Sequence, residues 1–179
     1  MSISKINFKL MSLVHETFYN LLRDPYKVLK VAGLGSGQKV LEVGCGPGFF
    51  TIPAARIIGE NGQVYALDLN PLAINRVKEK IEKESVTNVK TILTDVSRTT
   101  LPYQNFDLVF LFGFTRPIGQ LEKIWVNLYQ ALKPEGILSV EGRLRPPNDL
   151  FSRIKKQRRI SQYKKASPYE TAKPRLVDI

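Results

Sequence analysis

The sequence predicts an α/β protein built on a doubly wound, mostly parallel sheet, with helices added at the N-terminal end and a short, basic C-terminal end. Three observations carry that expectation. Short apolar runs recur from Val40, Val64, Val89, Phe106 and Ile137, the length of strands buried on both faces. The segments between several of them repeat their apolar residues at helical spacing, and strands alternating with helices pair in parallel. The first run also leads straight into Gly44-Cys45-Gly46-Pro47-Gly48, a strand–turn–helix arrangement that brings a helix N-terminus to a ligand.

Residues 8–22 place Phe8, Leu10, Leu13, Val14, Thr17, Phe18, Leu21 and Leu22 on one helical face, and Asp24-Pro25 breaks or restarts that helix. A second short helix through Val28, Leu29, Val31 and Ala32 ends at Gly33, Gly35 and Gly37. Residues 1–37 therefore precede the sheet, as packing elements or as a lid. After the strand at Val40 and the glycine turn, a helix is expected over about Phe49 to Ile58, with Gly59 and Gly62 bracketing the next turn. Val64 to Leu67 forms the second strand and ends on Asp68. Asn70-Pro71 follows as N-cap and first helical residue, opening a helix with Leu72, Ile74, Val77 and Ile81 on its apolar face. Its alternating charges, Lys78 to Glu84, form a solvated face.

Val89 to Leu93 is the third strand and ends at Thr94-Asp95. A polar stretch with Pro102 leads to the fourth, Phe106 to Phe112. Leu121, Ile124, Trp125, Leu128 and Leu132 then sit at helix spacing. Lys133-Pro134-Glu135-Gly136 stops that helix before a fifth strand, Ile137 to Val140. Beyond Gly142, Pro146-Pro147 marks a loop, and Asn148 or Asp149 is a candidate cap for a helix through Leu150, Phe151 and Ile154. Arg159 to Tyr163 and Arg175 to Ile179 are candidate strands. The chain reads as one domain in three parts: helices over 1–37, a binding core over 38–142 and a basic segment over 143–179.

Composition excludes several function classes. The apolar fraction of 43% and charged fraction of 24% are those of an ordinary globular protein. Cys45 is the only cysteine, so an internal disulfide or a cysteine-based metal site is ruled out. The longest apolar run, Leu108 to Phe114, is too short to span a bilayer. Lys5 and Lys9 interrupt the opening, which does not read as a secretory signal. These features predict a cytoplasmic protein. The formal charge of +11 is uneven: residues 1–142 hold 16 Lys and Arg against 13 Asp and Glu, whereas residues 143–179 hold 11 against 3. The basic segment is either a solvated face or a surface for nucleic acid or an anionic membrane.

The chemistry-bearing residues lie where the strands end. In an open α/β sheet the ligand sits outside the carboxyl ends of the strands. Glu42, Asp68 and Asp95 stand at or near the ends of three successive strands. Asp68 follows Gly48 by 20 residues, a spacing at which a carboxylate receives two ribose hydroxyls. Asp95 is placed to accept from an exocyclic amine on a purine, and Glu42 holds the glycine loop or reaches the ligand's charged end. A dinucleotide fingerprint requires G-x-G-x-x-G. Here Phe49 occupies the place of the third glycine, which disfavours a nicotinamide or flavin dinucleotide.

The segments VLEVGCGPGFFT, VYALDLNP, ILTD, FDLVFLFG and LKPEGILSVEG together resemble the ordered motifs of the class I S-adenosylmethionine-dependent methyltransferases, over roughly residues 38–142. The resemblance implies a Rossmann-like methyltransferase fold with S-adenosylmethionine as cofactor and S-adenosylhomocysteine as product. It implies that Glu42, Gly44, Cys45, Gly46 and Gly48 form the loop around the methionine part. Asp68 then corresponds to the acid on the ribose hydroxyls, with Leu69 against the adenine. Asp95 and Val96 correspond to the pair at the adenine edge, and Leu111 marks the strand end where cofactor and substrate pockets meet. The sequence is most similar to the branch that acts on small molecules, quinones and lipids.

Two departures from the pattern matter. The family sheet finishes with a sixth strand and an antiparallel seventh, but only 37 residues follow Gly142. Gly113-Phe114-Thr115-Arg116-Pro117 replaces the N-P-P-Y type motif of many enzymes that methylate exocyclic amines. The expected reaction is therefore methyl transfer to oxygen or carbon of a small-molecule or lipid-like acceptor. The alternatives are an RNA or protein methyltransferase steered by the basic segment, and a non-catalytic cofactor-binding partner subunit or sensor. Self-association into a homo-oligomer is left open. His15, Glu16, Tyr19, Tyr26, Glu141 and Tyr163 are candidates for a general base, and no single catalytic residue is singled out.

Overall fold

A computed structural model describes residues 24–102, 104–112, 121–140 and 175–178. The expected helix over 8–22, the candidate helix after Asn148 and the candidate strand Arg159 to Tyr163 lie outside these residues. The order is α1 (Pro25–Val31), β1 (Lys39–Val43), α2 (Thr51–Ile58), β2 (Gln63–Asp68), α3 (Pro71–Lys83), β3 (Val89–Leu93), β4 (Phe106–Leu111), α4 (Leu121–Ala131), β5 (Leu132–Val140) and β6 (Arg175–Asp178). The strands form one sheet in the order β3-β2-β1-β4-β5-β6, and every neighbouring pair is parallel. The doubly wound α/β expectation holds. The strand order reverses between β1 and β4, and this switch places a ligand site at the C-terminal edge of β1.

The central strands β1 and β4 bury both faces because each face carries a helix layer, whereas β3 at the sheet edge leaves Ile92 and Leu93 exposed. On one face Leu41, Val43, Val109 and Leu111 pack under Ile124, Trp125 and Leu128 of α4. On the other, Val40, Val64, Leu108 and Phe110 meet Leu29 of α1 and Ala54, Ala55 and Ile58 of α2. Ala66 on that face lies under Ile74 and Val77 of α3. Near-continuous apolar strands are the sequence consequence of this double cover.

Local signals set the helix starts. Asp24 caps α1 by accepting from Tyr26 N, with Pro25 in the first turn. Asn70 caps α3 by accepting from Leu72 N at 3.0 Å, with Pro71 behind it. Asn88 closes the far end of α2, its amide donating to Ala55 O and Gly59 O at 2.9 and 2.8 Å. Both carbonyls stand at the end of the helix, where Ala55 O also accepts from Gly59 N and Gly59 O from Gly62 N.

The boundaries of α2 and β5 differ from expectation. Helix α2 begins at Thr51, not Phe49, because the turn extends through Phe50. The Phe50 ring packs edge-on against Phe49 and Phe112, at 4.8 and 5.1 Å between centroids. Strand β5 begins at Leu132 rather than Ile137: Leu132 pairs with Phe106 and Ile137 with Leu108. The surplus residues loop out around Glu135, at φ +63°, so the helix-stopping Lys-Pro-Glu-Gly lies inside the strand as a bulge. At the chain's end, β6 pairs in parallel with β5. Among the described residues there is no antiparallel strand.

Candidate functional site

Three strand ends and the loop after β1 are tied together by hydrogen bonds. Gly44 N and Cys45 N both donate to Leu67 O, at 2.8 and 2.9 Å, anchoring the loop's start on β2. Gly46 N donates to Asp68 Oδ2 at 2.9 Å, and Asn70 N donates to Asp68 Oδ1 at 2.8 Å. Thr94 N donates to Asp68 O at 2.9 Å. Asp68 is therefore a hub that joins the glycine loop, the start of α3 and the end of β3. A carboxylate offers about four lone-pair sites, so two backbone donors leave capacity for a diol.

Two glycines in the loop have separable roles. Gly48 sits at φ +83°, and a Cβ there would lie 3.0 Å from Val77 Cγ2. Close approach to α3 is thus the task of Gly48, not of the residue at position 49. Gly46 sits at φ +51°, and a Cβ there would meet nothing within 4 Å. Its bare backbone faces open space at the strand edge, where a ligand can lie against the chain.

Glu42 lies beneath this loop. Its side chain, only 3% exposed, is on the face covered by α2, and the Thr51 hydroxyl donates to Glu42 Oε2 at 2.6 Å. Burial pushes the Glu42 carboxyl up from 4.5 to about 8. The hydrogen bond from Thr51 opposes that shift, the Asp68 carboxylate adds to it and the Lys80 ammonium opposes it. Burial, with Glu42 and Asp68 nearby, also pushes the Cys45 thiol up, so Cys45 is a neutral packing group against Ala66 and Ile74.

The third acid is organised locally. Asp95 Oδ1 accepts from Ser97 N and Ser97 Oγ at 3.0 and 2.7 Å, and Arg98 Nε lies 4.0 Å from Oδ2. Asn127 of α4 holds this turn in place. It accepts from Leu101 N at 3.1 Å, and its amide donates to Val96 O and Thr99 O.

The structure brings Glu42, Gly44, Cys45, Gly46, Gly48 and Asp68 into one bonded unit, with Asp95 on the neighbouring strand end. Leu69 follows at 47% exposure, an apolar side chain left at the edge beside Asp68. Val96 and Leu111 are different, since both side chains are buried in the core with Trp125 and Leu128. Leu111 is 0% exposed, so it marks a strand end without offering its side chain to a ligand. Tyr26 accepts from Arg56 in the last turn of α2, at the opposite end of the strands, and is no base for this site. His15, Glu16, Tyr19, Glu141 and Tyr163 lie outside the described residues. Sequence reasoning missed Thr51, Asn127 and Lys80. The signal for Thr51 was a hydroxyl at a helix start, nine residues after an acid inside an apolar strand.

These features fit an adenosine-type cofactor with a charged tail. Asp68 has room for a diol, Leu69 supplies an apolar surface for a base, and Gly46 leaves backbone open.

Comparison with known proteins agrees. A family described as a methyltransferase domain matches residues 34–168. The ubiquinone/menaquinone biosynthesis C-methyltransferase UbiE of Marinomonas sp. is 27% identical over 124 residues, covering 69% of this chain and 49% of the relative. The chain thus spans about half the length of the curated relatives it matches. The crystal structure of a SAM dependent methyltransferase from Aquifex aeolicus is similar at 30% identity and a TM-score of 0.63. It covers 82% of this chain and 79% of that one. M. jannaschii TYW2 in complex with AdoMet is similar at 27% identity and a TM-score of 0.51, over 61% of this chain and 48% of that one.

Proposed function

Because the chain belongs to the S-adenosylmethionine-dependent methyltransferases, we propose that it transfers the cofactor's methyl group to carbon or oxygen of a small quinone-like or lipid-like acceptor. The observation that carries the cofactor half of this reading is the Asp68 hub, which joins the glycine loop to the β2 edge and leaves an exposed Leu69 beside it. The names of the UbiE relatives favour carbon as the methylated atom and an acceptor of the quinone-biosynthesis type.

The bound cofactor supplies a methyl group on a sulfonium, so the leaving group is neutral and already activated. Asp68 would take the ribose hydroxyls, and the backbone of Gly44 to Gly48 would carry the methionine part. Leu69 would offer an apolar side chain to the adenine, and Asp95 an acceptor for its edge. Held in this way the methyl donor would meet the acceptor in line, where orientation alone supplies roughly 7–11 kcal/mol of the barrier reduction. A base on the acceptor side adds about 10²–10⁴-fold where a proton must leave.

Calorimetry with S-adenosylmethionine, S-adenosylhomocysteine and NADH tests the cofactor assignment. The first two bind wild type, NADH does not, and Asp68→Ala weakens both. Binding of NADH with no response to the sulfonium compounds would falsify the reading. Transfer of labelled methyl to reduced quinones, a phospholipid and RNA then identifies the acceptor. The 11 basic against 3 acidic residues of 143–179 support RNA as the second reading. Under it, methyl transfer to RNA falls steeply with salt and is lost on replacing Lys155, Lys156, Arg158 and Arg159 with glutamine, substitutions that leave β6 in the chain.

A further inference from the structure

Between β3 and β4 the described residues form turns rather than a helix, and a groove lies between this connection and α4. Residues 97–100 form one wall. Lys123, Val126, Asn127 and Gln130, spaced along one face of α4, form the other. The groove has a volume of about 360 Å³, at the small end of the range for small-molecule sites. None of its lining residues is acidic, and none belongs to the unit around Asp68.

The walls are tied together by the protein itself. The Asn127 amide donates to Val96 O and Thr99 O and accepts from Leu101 N, and the Thr99 hydroxyl is hydrogen-bonded to that of Thr94. The charged groups offered to a ligand are one on each wall. Arg98 Nε lies 4.0 Å from Asp95 Oδ2, longer than a hydrogen bond, so the donors of its guanidinium remain for another acceptor. Lys123 is exposed on the α4 wall and, among the described residues, has no hydrogen-bond or ion-pair partner. Two cations across a groove that holds no carboxylate create a positive field that an oxyanion answers.

We propose that this groove is a second ligand site, which takes the phosphoryl group of a small phosphate monoester between Arg98 and Lys123. A phosphoryl group presents three strong acceptor oxygens, enough for the guanidinium, the ammonium and the Thr100 hydroxyl on the same rim. A carboxylate presents two. A nucleic-acid strand calls for a longer basic track with aromatic faces for its bases, and the lining has no aromatic residue.

The test is calorimetry of the full chain with glycerol phosphate, beside glycerol and glycerate, at constant ionic strength. Glycerol phosphate is expected to bind and to raise the unfolding temperature. Glycerol does not bind, and glycerate binds roughly tenfold more weakly, the loss of one charge-assisted hydrogen bond. Lys123→Met and Arg98→Met each weaken the ester by roughly tenfold or more, and the double variant does not bind it. Both side chains lie in solvent, so the variants unfold without ligand as wild type does. Saturating S-adenosylhomocysteine leaves the ester's affinity unchanged. No binding up to about 10 mM, or equal binding by the double variant, overturns the inference. So does competition with S-adenosylhomocysteine, which places the ester in the cofactor site, or binding of a single-stranded RNA oligonucleotide in preference to the ester. Failure of S-adenosylhomocysteine to bind, with the ester still held through Arg98 and Lys123, overturns the cofactor assignment and leaves this inference standing.

Discussion

The strands carry acids at both ends, and the two ends hold them in opposite ways. Where the strands begin, Asp107 Oδ1 accepts from the Lys133 ammonium at 2.8 Å and Oδ2 from the Lys39 backbone N–H at 2.8 Å. The Lys39 ammonium donates to Asn105 and stands 5.3 Å from the centre of the Tyr65 ring. Where the strands end, the described hydrogen-bond donors to Glu42 and Asp68 are one hydroxyl and two backbone N–H groups. An acid matched by an ammonium has its charge answered within the fold. Asp68, matched by dipoles, retains negative character that a ligand can use, whereas the enclosed Glu42 sheds its charge by holding its proton.

The largest effect expected from breaking this contrast is at Gly48. Gly48→Val forces a branched side chain into a left-handed conformation, costing roughly 1–2 kcal/mol. It also drives that side chain into Val77, whose Cγ2 would lie 3.0 Å from the new Cβ, for about another 1–3 kcal/mol. Urea unfolding should show the sum. Gly46→Ala, two residues away, places its methyl in open space. It shares the left-handed cost of roughly 1–2 kcal/mol but not the clash, and weakens cofactor binding besides. Equal losses of stability in the two variants would mean that the loop is not divided into a packing half and a ligand half.

Glu42→Gln comes next and changes stability in the favourable direction. The folded protein holds Glu42 protonated up to about pH 8, whereas its ordinary value is 4.5. Folding stability from this group is therefore complete below about pH 4.5 and falls by about 1.4 kcal/mol per pH unit until about pH 8. A glutamine side chain does not ionise, yet its carbonyl oxygen still accepts from the Thr51 hydroxyl. The variant should match wild type at pH 4.5 and exceed it increasingly toward about pH 8 by thermal unfolding. A stability difference that does not change with pH would place the carboxyl in a more polar setting than its burial indicates.

What was legible in the sequence follows the same divide. Strand ends, Asn70-Pro71 and the glycine loop were readable because each is a local signal: an apolar run, a cap, a turn. The Asp68 position was readable because chain spacing after a glycine loop is fixed by one strand–helix–strand unit. Thr51 and Asn127 were not, since each acts on residues from another element, through a hydrogen bond that no periodicity announces. Leu111 was assigned to the site by strand-end position, but the alternation of the strand turns its side chain into the core under α4. The parallel β6 was beyond reach because four residues, Arg175–Asp178, carry too little pattern to fix a direction.

Asn127→Ala tests the non-local part. It removes the acceptor for Leu101 N and the donor to Val96 O and Thr99 O. About 1–3 kcal/mol of stability should be lost by chemical unfolding. The turn carrying Asp95 would also lose its tie to α4, so affinity should fall more for S-adenosylhomocysteine than for its adenine-free fragment homocysteine. An unchanged ratio would confine Asn127 to packing.

The smallest effect belongs to the opposite end of the strands. Lys133→Met removes the ammonium from Asp107, in a pair whose side chains are 42% and 31% exposed. Exposed pairs of this kind contribute about 0.2–1 kcal/mol. Asp107 keeps its bond from the Lys39 backbone N–H, so no buried charge is stranded. The loss should shrink further as salt is raised, because charges open to solvent are screened. Cofactor affinity should not change, since the hydrogen bonds of the site run from Leu67, Asp68 and Glu42 at the other end of the strands. If Lys133→Met weakened cofactor binding at low salt but not at high salt, the basic end would be acting on Glu42 and Asp68 through its field, and the two ends would be one electrostatic system.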